Sequence, residues 1–242
     1  MKLKSKIALA VLALTAGSAA MAELSYNIGA VSEYRYRGIS QTRFEPTVQG
    51  GIDYAHASGF YLGAWGSGIK WIKDAGASKG DIELDIYGGY KGSITKDLGF
   101  DVGYLRYEYV DNKYKDVTGV DASTDEIYGA LSYGPYTAKL SYSLSDLFGT
   151  PNSKGSTYLD LSATFDLGNG FSLVPHLGSQ TVANNSNASY ADWSLAVVKD
   201  FGNGLSASLA AVGTDAKNGA YVSPDGKQLG ASTVVLGVKY TF

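Results

Sequence analysis

The sequence predicts an all-β fold, a 12-stranded antiparallel transmembrane β-barrel with short periplasmic turns and long extracellular loops. Three observations predict it: apolar and polar residues alternate in twelve segments, the connections are alternately long and short, and aromatic residues flank the short ones. The composition agrees, because 19 Tyr and 31 Gly among 242 residues suit a pleated sheet better than a helical protein.

The N-terminus has the features of a cleaved export signal. Lysines within 2–6 precede an apolar run from Ile7 to Ala16, and Ala20-Met21-Ala22 supplies the small residues of a cleavage site. The alternative is a membrane anchor, but this run is too short to cross about 30 Å of hydrocarbon as a helix. The sequence therefore predicts a signal peptide over 1–22 and a barrel over 23–242.

Alternation with a period of two defines the strands. Ile82, Leu84 and Ile86, for example, alternate with Glu83 and Asp85. The alternation is weaker in two segments, and in one of them we expect a bulge near Leu105 to exchange the two faces. The predicted strands are 25–37, 47–55, 60–67, 81–91, 100–109, 125–133, 136–143, 156–165, 171–178, 190–198, 205–213 and 232–242.

The connections alternate in length along the chain. The short ones are 56–59, 92–99, 134–135, 166–170 and 199–204, and the long ones are 38–46, 68–80, 110–124, 144–155, 179–189 and 214–231. Because neighbouring strands are antiparallel, this order places all short turns at one end and all long loops at the other. A transmembrane barrel has this arrangement, whereas a soluble β-sandwich has no reason to sort its loops by length.

Aromatic residues form a predicted girdle at the short-turn end. Rings of this kind mark the interface between lipid and water in membrane barrels. The residues are Tyr54, Phe60, Tyr90, Phe100, Tyr133, Tyr136, Phe165, Phe171, Phe201, Tyr240 and Phe242.

Charged residues on the polar face of each strand are predicted to line the lumen. A charge that faces lipid at the bilayer midplane would cost about 2–4 kcal/mol. Such charges either set the preference for ions or solutes or neutralise one another in a filled interior, and we favour a narrow open pore. The predicted lumen residues are Glu33, Arg35, Arg37, Asp53, Glu83, Asp85, Lys91, Glu126, Lys139, Asp160, His176, Asp192 and Lys239.

Arg35 and Arg37 lie two residues apart on the first predicted strand and would both face inward. Two guanidinium groups could hold an anionic solute bidentately, or they could pair with Glu33, with Asp53 or with the carboxylates of the fourth strand. The excess of acidic residues favours cations instead, so the sequence leaves the selectivity open.

Enzymatic chemistry, metals and cofactors find little support. His56-Ala57-Ser58 has the spacing of a serine–histidine pair but falls in a predicted turn, and His176 is a lone lumen histidine. Two His and no Cys give no zinc or iron site, and 111–121 lacks a regular calcium-loop pattern. No catalytic residue, metal or cofactor is predicted.

Without the signal lysines, 17 basic residues face 23 acidic ones, which argues against a nucleic-acid partner.

Several motifs resemble the TorF-type porin family. They are Tyr36 to Thr42, Gln49 to Tyr54, Gly59 to Trp65 and Glu83 to Tyr90. The resemblance extends over the whole chain after the signal, and its most specific motifs lie in the first 90 residues. It implies an outer-membrane barrel and a porin, and it says little about the solute.

The predicted function is passive diffusion of small hydrophilic solutes or ions through the bacterial outer membrane. The expected partners are these solutes, outer-membrane lipid and lipopolysaccharide, and the barrel-assembly machinery during biogenesis. The alternative is a closed structural barrel whose extracellular loops, such as 179–189, bind a surface partner. A third hypothesis, a barrel hydrolase, would need activity that depends on His56 or His176.

Overall fold

The structure is a computed structural model that describes residues 22–242. The strands of this part of the chain are β1 Glu23–Val31, β2 Arg35–Tyr36, β3 Ile39–Ser40, β4 Thr47–Ala55, β5 Phe60–Gly68, β6 Ile82–Ser93, β7 Leu98–Tyr109, β8 Thr124–Tyr133, β9 Tyr136–Ser143, β10 Thr157–Ala163, β11 Phe165–Gly168, β12 Phe171–Thr181, β13 Tyr190–Gly202, β14 Leu205–Thr214 and β15 Thr233–Thr241. The helices are α1 Trp71–Asp74, α2 Tyr114–Thr118 and a 3-10 turn Ser186–Ala188.

The strands close into a 12-stranded antiparallel barrel. β1 pairs with β4 on one side and with β15 on the other, and β10 closes the circle by pairing with β12. β10 and β11 together form one barrel strand that is interrupted at Thr164, since both pair with β12. β2 and β3 pair only with each other and form no part of the barrel wall. The predicted fold class is therefore confirmed.

The strands present a largely apolar outer face and a mainly polar inner face, which also carries an apolar cluster of Val174, Ala196 and Val198. In β15, for example, Val234, Leu236 and Val238 point outward and are 54–59% exposed, whereas Lys239 points inward. Such an outer surface is stable only against an apolar medium, because exposed apolar area of this extent is unfavourable in water. Within residues 22–242, no helix has the length and apolar character needed to cross a membrane.

Short turns occupy one end of the barrel, the turn end, and long loops the other, the loop end. The turns are 56–59, 94–97, 134–135, 169–170 and 203–204. The loops are loop 1 (32–46), loop 2 (69–81), loop 3 (110–123), loop 4 (144–156), loop 5 (182–189) and loop 6 (215–232). The short and long connections thus alternate as predicted from the sequence, and their bounds differ from the predicted ones by a few residues at the strand ends.

Aromatic rings surround the turn end. Phe60 packs edge-on against Tyr90 at 5.0 Å between centroids, and Tyr240 packs against Phe242 at 4.9 Å. Phe60 and Phe242 are among the most exposed apolar residues of the described chain. Amphipathic and apolar rings in this position fit an interface between lipid and water.

The first strand is shorter than predicted. It ends at Val31 rather than residue 37, because the chain reverses at Arg37-Gly38, where both residues have positive φ (47° and 78°). Positive φ at both central positions is the geometry of a two-residue hairpin turn. Glu33, Arg35 and Arg37 therefore lie in loop 1 and not on a barrel strand, which corrects the sequence-based placement.

Two smaller predictions are also wrong. β6 and β7 pair without a register shift from Glu83↔Tyr109 to Ser93↔Gly99, so no bulge exchanges the faces near Leu105. The predicted loop 179–189 is shorter, because β12 continues to Thr181.

Two apolar clusters hold the loops together at the loop end. The first contains Ile72 of α1, which is completely buried, together with Tyr34, Tyr107 and Tyr109. The second joins loop 1 to loop 6 through Ile39 and Leu229. The loops are therefore packed against one another and against the upper barrel wall.

Candidate functional site: the lumen and loop 1

Loop 1 folds into the lumen and contacts the wall around most of its circumference. The hydroxyl of Tyr34 donates a hydrogen bond to Glu83 of β6 at 2.7 Å, and its ring packs against Trp65 of β5. Tyr36 hydrogen-bonds Tyr107 of β7 through the two hydroxyl groups. These contacts fix one side of the hairpin formed by β2 and β3.

Arg37, at the tip of this hairpin, reaches three further strands. Its guanidinium donates to Glu126 of β8 and to Gln180 of β12, each at 2.7 Å. The same group lies over the ring of Tyr158 of β10, 4.3 Å from its centroid. A positive φ is costly for a non-glycine residue such as Arg37, and these contacts offset that cost.

Gly38 allows the tip to approach the remaining wall. A Cβ atom at this position would lie 2.7 Å from Cβ of Asp192 on β13 and would overlap Thr214 of β14. Loop 1 therefore spans the lumen from β5 to β14. Because its partners lie near the loop ends of their strands, it forms a constriction in the upper part of the barrel.

Arg35 ties loop 1 to loop 6. Its Nε and Nη2 donate to Glu33, and Nη1 and Nη2 donate to the carbonyl oxygens of Gly38, Leu229 and Ala231 at 2.7–3.0 Å. Its N–H donors are thus directed at protein acceptors. Of the two roles considered from the sequence, the geometry favours structural pairing, with Glu33 for Arg35 and with Glu126 for Arg37.

We expect Arg35→Ala to loosen loop 6 without unfolding the barrel. The substitution removes both carbonyl contacts to 229–231, and limited digestion with subtilisin should then cut within 215–232 faster than in the wild type. Arg43→Ala is the matched control, because Arg43 pairs with Asp74 of loop 2 instead. Equal cleavage rates for Arg35→Ala and the wild type would contradict the anchoring role.

Four tyrosines lie along the inner wall, and we call them the flat tyrosines: Tyr61, Tyr87, Tyr128 and Tyr158. Each lies over a glycine of the neighbouring strand. A Cβ atom at Gly63 would overlap the Tyr87 ring, and one at Gly103 would lie 2.5 Å from the Tyr128 hydroxyl. The inward glycines therefore let bulky rings lie against the sheet instead of projecting toward the barrel axis.

The hydroxyl groups of the flat tyrosines are hydrogen-bonded to polar residues farther along the wall. Tyr87 donates to Asp53 at 2.5 Å, Tyr61 to Asp101 at 2.6 Å and Tyr158 to Asp192 at 3.0 Å. Tyr61 and Tyr128 also hydrogen-bond each other. Two lysines cover ring faces, with Nζ of Lys139 3.8 Å from the centroid of Tyr128 and that of Lys91 5.6 Å from Tyr61.

The structure places the predicted lumen residues of the strands on the inner face of the barrel. Asp101 joins them, although its segment alternates weakly in sequence; it is 2% exposed and faces inward from β7. Asp101 lies between the apolar residues Phe100 and Val102, and this local alternation could have identified it as an inward residue. The inner-face residues are Asp53, Glu83, Asp85, Lys91, Asp101, Glu126, Lys139, Asp160, His176, Asp192 and Lys239.

His176 lies between two carboxylates. Its Nε2 is 2.9 Å from Oδ2 of Asp160, and its Nδ1 is 3.6 Å from Oδ1 of Asp192. Over residues 22–242, no set of three or more His, Asp or Glu side chains is arranged to hold a metal ion. The geometry is that of a histidine held in the lumen wall by neighbouring carboxylates.

The other histidine lies in the turn 56–59. Nδ1 of His56 is 2.7 Å from the hydroxyl of Ser58, and both residues are exposed at the turn end. No carboxylate of the described chain hydrogen-bonds His56, so the pair lacks the third group that orients a catalytic histidine.

The closed barrel, its sorted loops and its charged lumen define the class of outer-membrane β-barrel folds to which porins belong. The chain belongs to the family described as "Bacterial protein of unknown function (Gcw_chp)", whose model matches residues 15–242. No curated protein sequence matches it.

Several solved structures similar to this chain are porins or channels. The NanC porin is 9% identical, with 91% of this chain and 99% of that chain covered and a TM-score of 0.58. The KdgM porin in complex with disordered oligogalacturonate is 8% identical, with 90% and 98% covered and a TM-score of 0.54. The COG4313 outer membrane channel from Pseudomonas putida F1 is 10% identical, with 94% and 98% covered and a TM-score of 0.50. At these low identities the structural similarity shows a shared fold alone.

Proposed function

We propose that the protein is a channel of the bacterial outer membrane through which small hydrophilic solutes or ions diffuse passively. Loop 1 forms its constriction, and the charged inner wall determines which solutes pass. The channel uses no cofactor, and the protein carries out no catalysis.

The arrangement of the flat tyrosines is the observation that carries this proposal. A barrel with a purely structural interior would fill its axis with interdigitated side chains. Here Tyr61, Tyr87, Tyr128 and Tyr158 lie against the wall over inward glycines, and their hydroxyl groups are satisfied along the wall. Rings in this position take up less of the lumen than rings that project toward the barrel axis.

The lumen charge favours cations or neutral solutes. The predicted lumen residues together with Asp101 comprise eight carboxylates (Glu33, Asp53, Glu83, Asp85, Asp101, Glu126, Asp160 and Asp192) and five basic groups (Arg35, Arg37, Lys91, Lys139 and Lys239). The KdgM structure holds an oligogalacturonate, which is an acidic sugar polymer. We do not extend that solute to this chain, because an acidic wall repels polyanions.

Export and membrane insertion complete the proposal. The predicted signal peptide over 1–22 lies outside the described residues, apart from Ala22, and would direct export. The apolar outer face would contact outer-membrane lipid and lipopolysaccharide after insertion by the barrel-assembly machinery. The resemblance to TorF-type porins agrees with this proposal and stays a prediction.

A closed barrel that binds a surface partner is the second candidate, and the packing of the loops at the loop end favours it. Ile72 and Ile39 are buried in loop clusters above the lumen. Deleting 183–188 should abolish partner binding under this hypothesis and leave conductance intact under the channel hypothesis.

Single-channel recording tests the proposed channel directly. Protein of residues 23–242, refolded and shown to be heat-modifiable on a denaturing gel, should give discrete conductance steps in a planar bilayer. A salt gradient should give a reversal potential of the sign expected for cation preference. Silence from folded protein would overturn the channel and favour the closed barrel.

A further inference from the structure

Two carboxylates of β6, Glu83 and Asp85, are buried in the lumen wall without a cationic partner. Both point inward, and they are 2% and 8% exposed. Within residues 22–242, no Lys, Arg or His nitrogen lies within 4.0 Å of either group. The other carboxylates next to loop 1 have a basic partner, since Glu33 pairs with Arg35, Glu126 with Arg37 and Asp192 with His176.

Asp85 has an oxygen that no protein group satisfies. Its Oδ1 is fully buried and lacks a hydrogen-bond partner among the described residues. Its cross-strand neighbours, Trp65 on β5 and Tyr107 on β7, supply aromatic surroundings and no positive charge. A buried carboxylate in this state is unfavourable unless a cation or a proton compensates it.

Glu83 lies one inward position closer to the loop end and has a single hydrogen bond. The hydroxyl of Tyr34 donates to its Oε1 at 2.7 Å. Glu126, the next carboxylate, is already occupied by Arg37 and by the Tyr107 hydroxyl at 3.3 Å. Among the carboxylates next to loop 1, only the pair on β6 therefore lacks a basic partner in the described residues.

We propose that Glu83 and Asp85 form a binding site for a hard metal cation on the path through the channel. The inference rests on the proposed channel function and deepens it, because it names cations as the permeant class. Carboxylate oxygens are the ligands that hard cations such as Ca²⁺ and Mg²⁺ prefer. Two carboxylates supply only part of the coordination sphere of such an ion. The binding is therefore weak, which suits a site that an ion must enter and leave.

Terbium luminescence tests the site without requiring conduction. Tb³⁺ binds oxygen ligands as Ca²⁺ does, and nearby excited rings, here Trp65, Tyr34 and Tyr107, transfer energy to it. Folded protein of residues 23–242 in detergent should give a saturable signal that added Ca²⁺ displaces. Asp85→Asn should weaken Tb³⁺ binding by roughly ten-fold or more, because ligand charge determines the affinity of oxygen sites.

Asp97→Asn is the matched control, because Asp97 lies in the exposed turn 94–97. If Asp85→Asn does not fold, Glu83→Gln serves as the second variant with the same expected loss. A signal that is absent from the wild type, or that persists in both variants, would overturn the cation site and show that these groups are compensated by protons.

Reversal potentials measure the ion selectivity of the pore. They separate the claim of a cation site from the claim of a channel. In a KCl gradient, Asp85→Asn should shift the reversal potential toward that of an anion-selective pore, while Asp97→Asn stays at the wild-type value. A conducting wild type with an unchanged potential in Asp85→Asn would overturn cation selection by this pair and leave the channel. Saturable Tb³⁺ binding by a folded barrel that never conducts would leave the site and overturn the channel.

Discussion

Arg37→Ala should raise the single-channel conductance several-fold. Arg37 holds the tip of loop 1 to Glu126, Gln180 and Tyr158, which lie on three different strands. Without the guanidinium, the strained turn loses the contacts that offset its positive φ, and the hairpin can leave the constriction. Planar-bilayer recordings of the variant and the wild type, at the same salt concentration, measure the effect.

The same substitution should also destabilise the barrel. It leaves Glu126 buried at 2% exposure without its ion-pair partner, and removing one member of a buried pair costs about 3–5 kcal/mol. Arg43→Ala removes a loop 1 arginine that contacts only loop 2, so its conductance should equal that of the wild type. An Arg37→Ala barrel that is folded and heat-modifiable but conducts like the wild type would show that loop 1 is not the constriction.

Gly63→Val should have the opposite effect and narrow the pore. The new side chain occupies the space of the Tyr87 ring and of Oδ1 of Asp53, which lies 2.7 Å from the Cβ position. The ring is the movable group, so it should rotate away from the wall and toward the barrel axis. We expect lower conductance and a loss of about 1–3 kcal/mol of stability, as is typical of overpacking.

Two further variants make this prediction specific. Gly129→Val is the matched control, because Gly129 lies on the outer face and a Cβ atom there would contact nothing within 4 Å. Adding Tyr87→Ala to Gly63→Val removes the displaced ring and should restore the conductance. If the double variant conducts as poorly as Gly63→Val alone, the flat tyrosine does not set the pore width.

The barrel wall could be predicted from the sequence because its signals are local. Outward residues such as Leu236 and Val238 alternate with inward ones such as Lys239, and a strand must place successive side chains on opposite faces. Gly-rich turns and long polar loops fixed the order of short and long connections. The closed twelve-stranded fold and the inner face of most charged residues followed from these patterns.

The path of loop 1 could not be predicted in this way. Glu33, Arg35 and Arg37 continue the alternation of β1, so the pattern extends the strand past Val31. Only the partners that loop 1 meets inside the closed barrel, such as Glu126 and Gln180, make the inward hairpin favourable. Those partners lie about 90 and 140 residues away in the chain.

The sequence by itself thus determined the fold class, the two faces of each strand and the acidic character of the lumen. Each of these depends on properties of single segments and on their spacing. The tertiary structure alone decided that loop 1 constricts the lumen, that the flat tyrosines lie over glycines and that Asp85 lacks a partner. These features depend on the register between strands and on the closure of the barrel, which bring together residues that no local pattern relates.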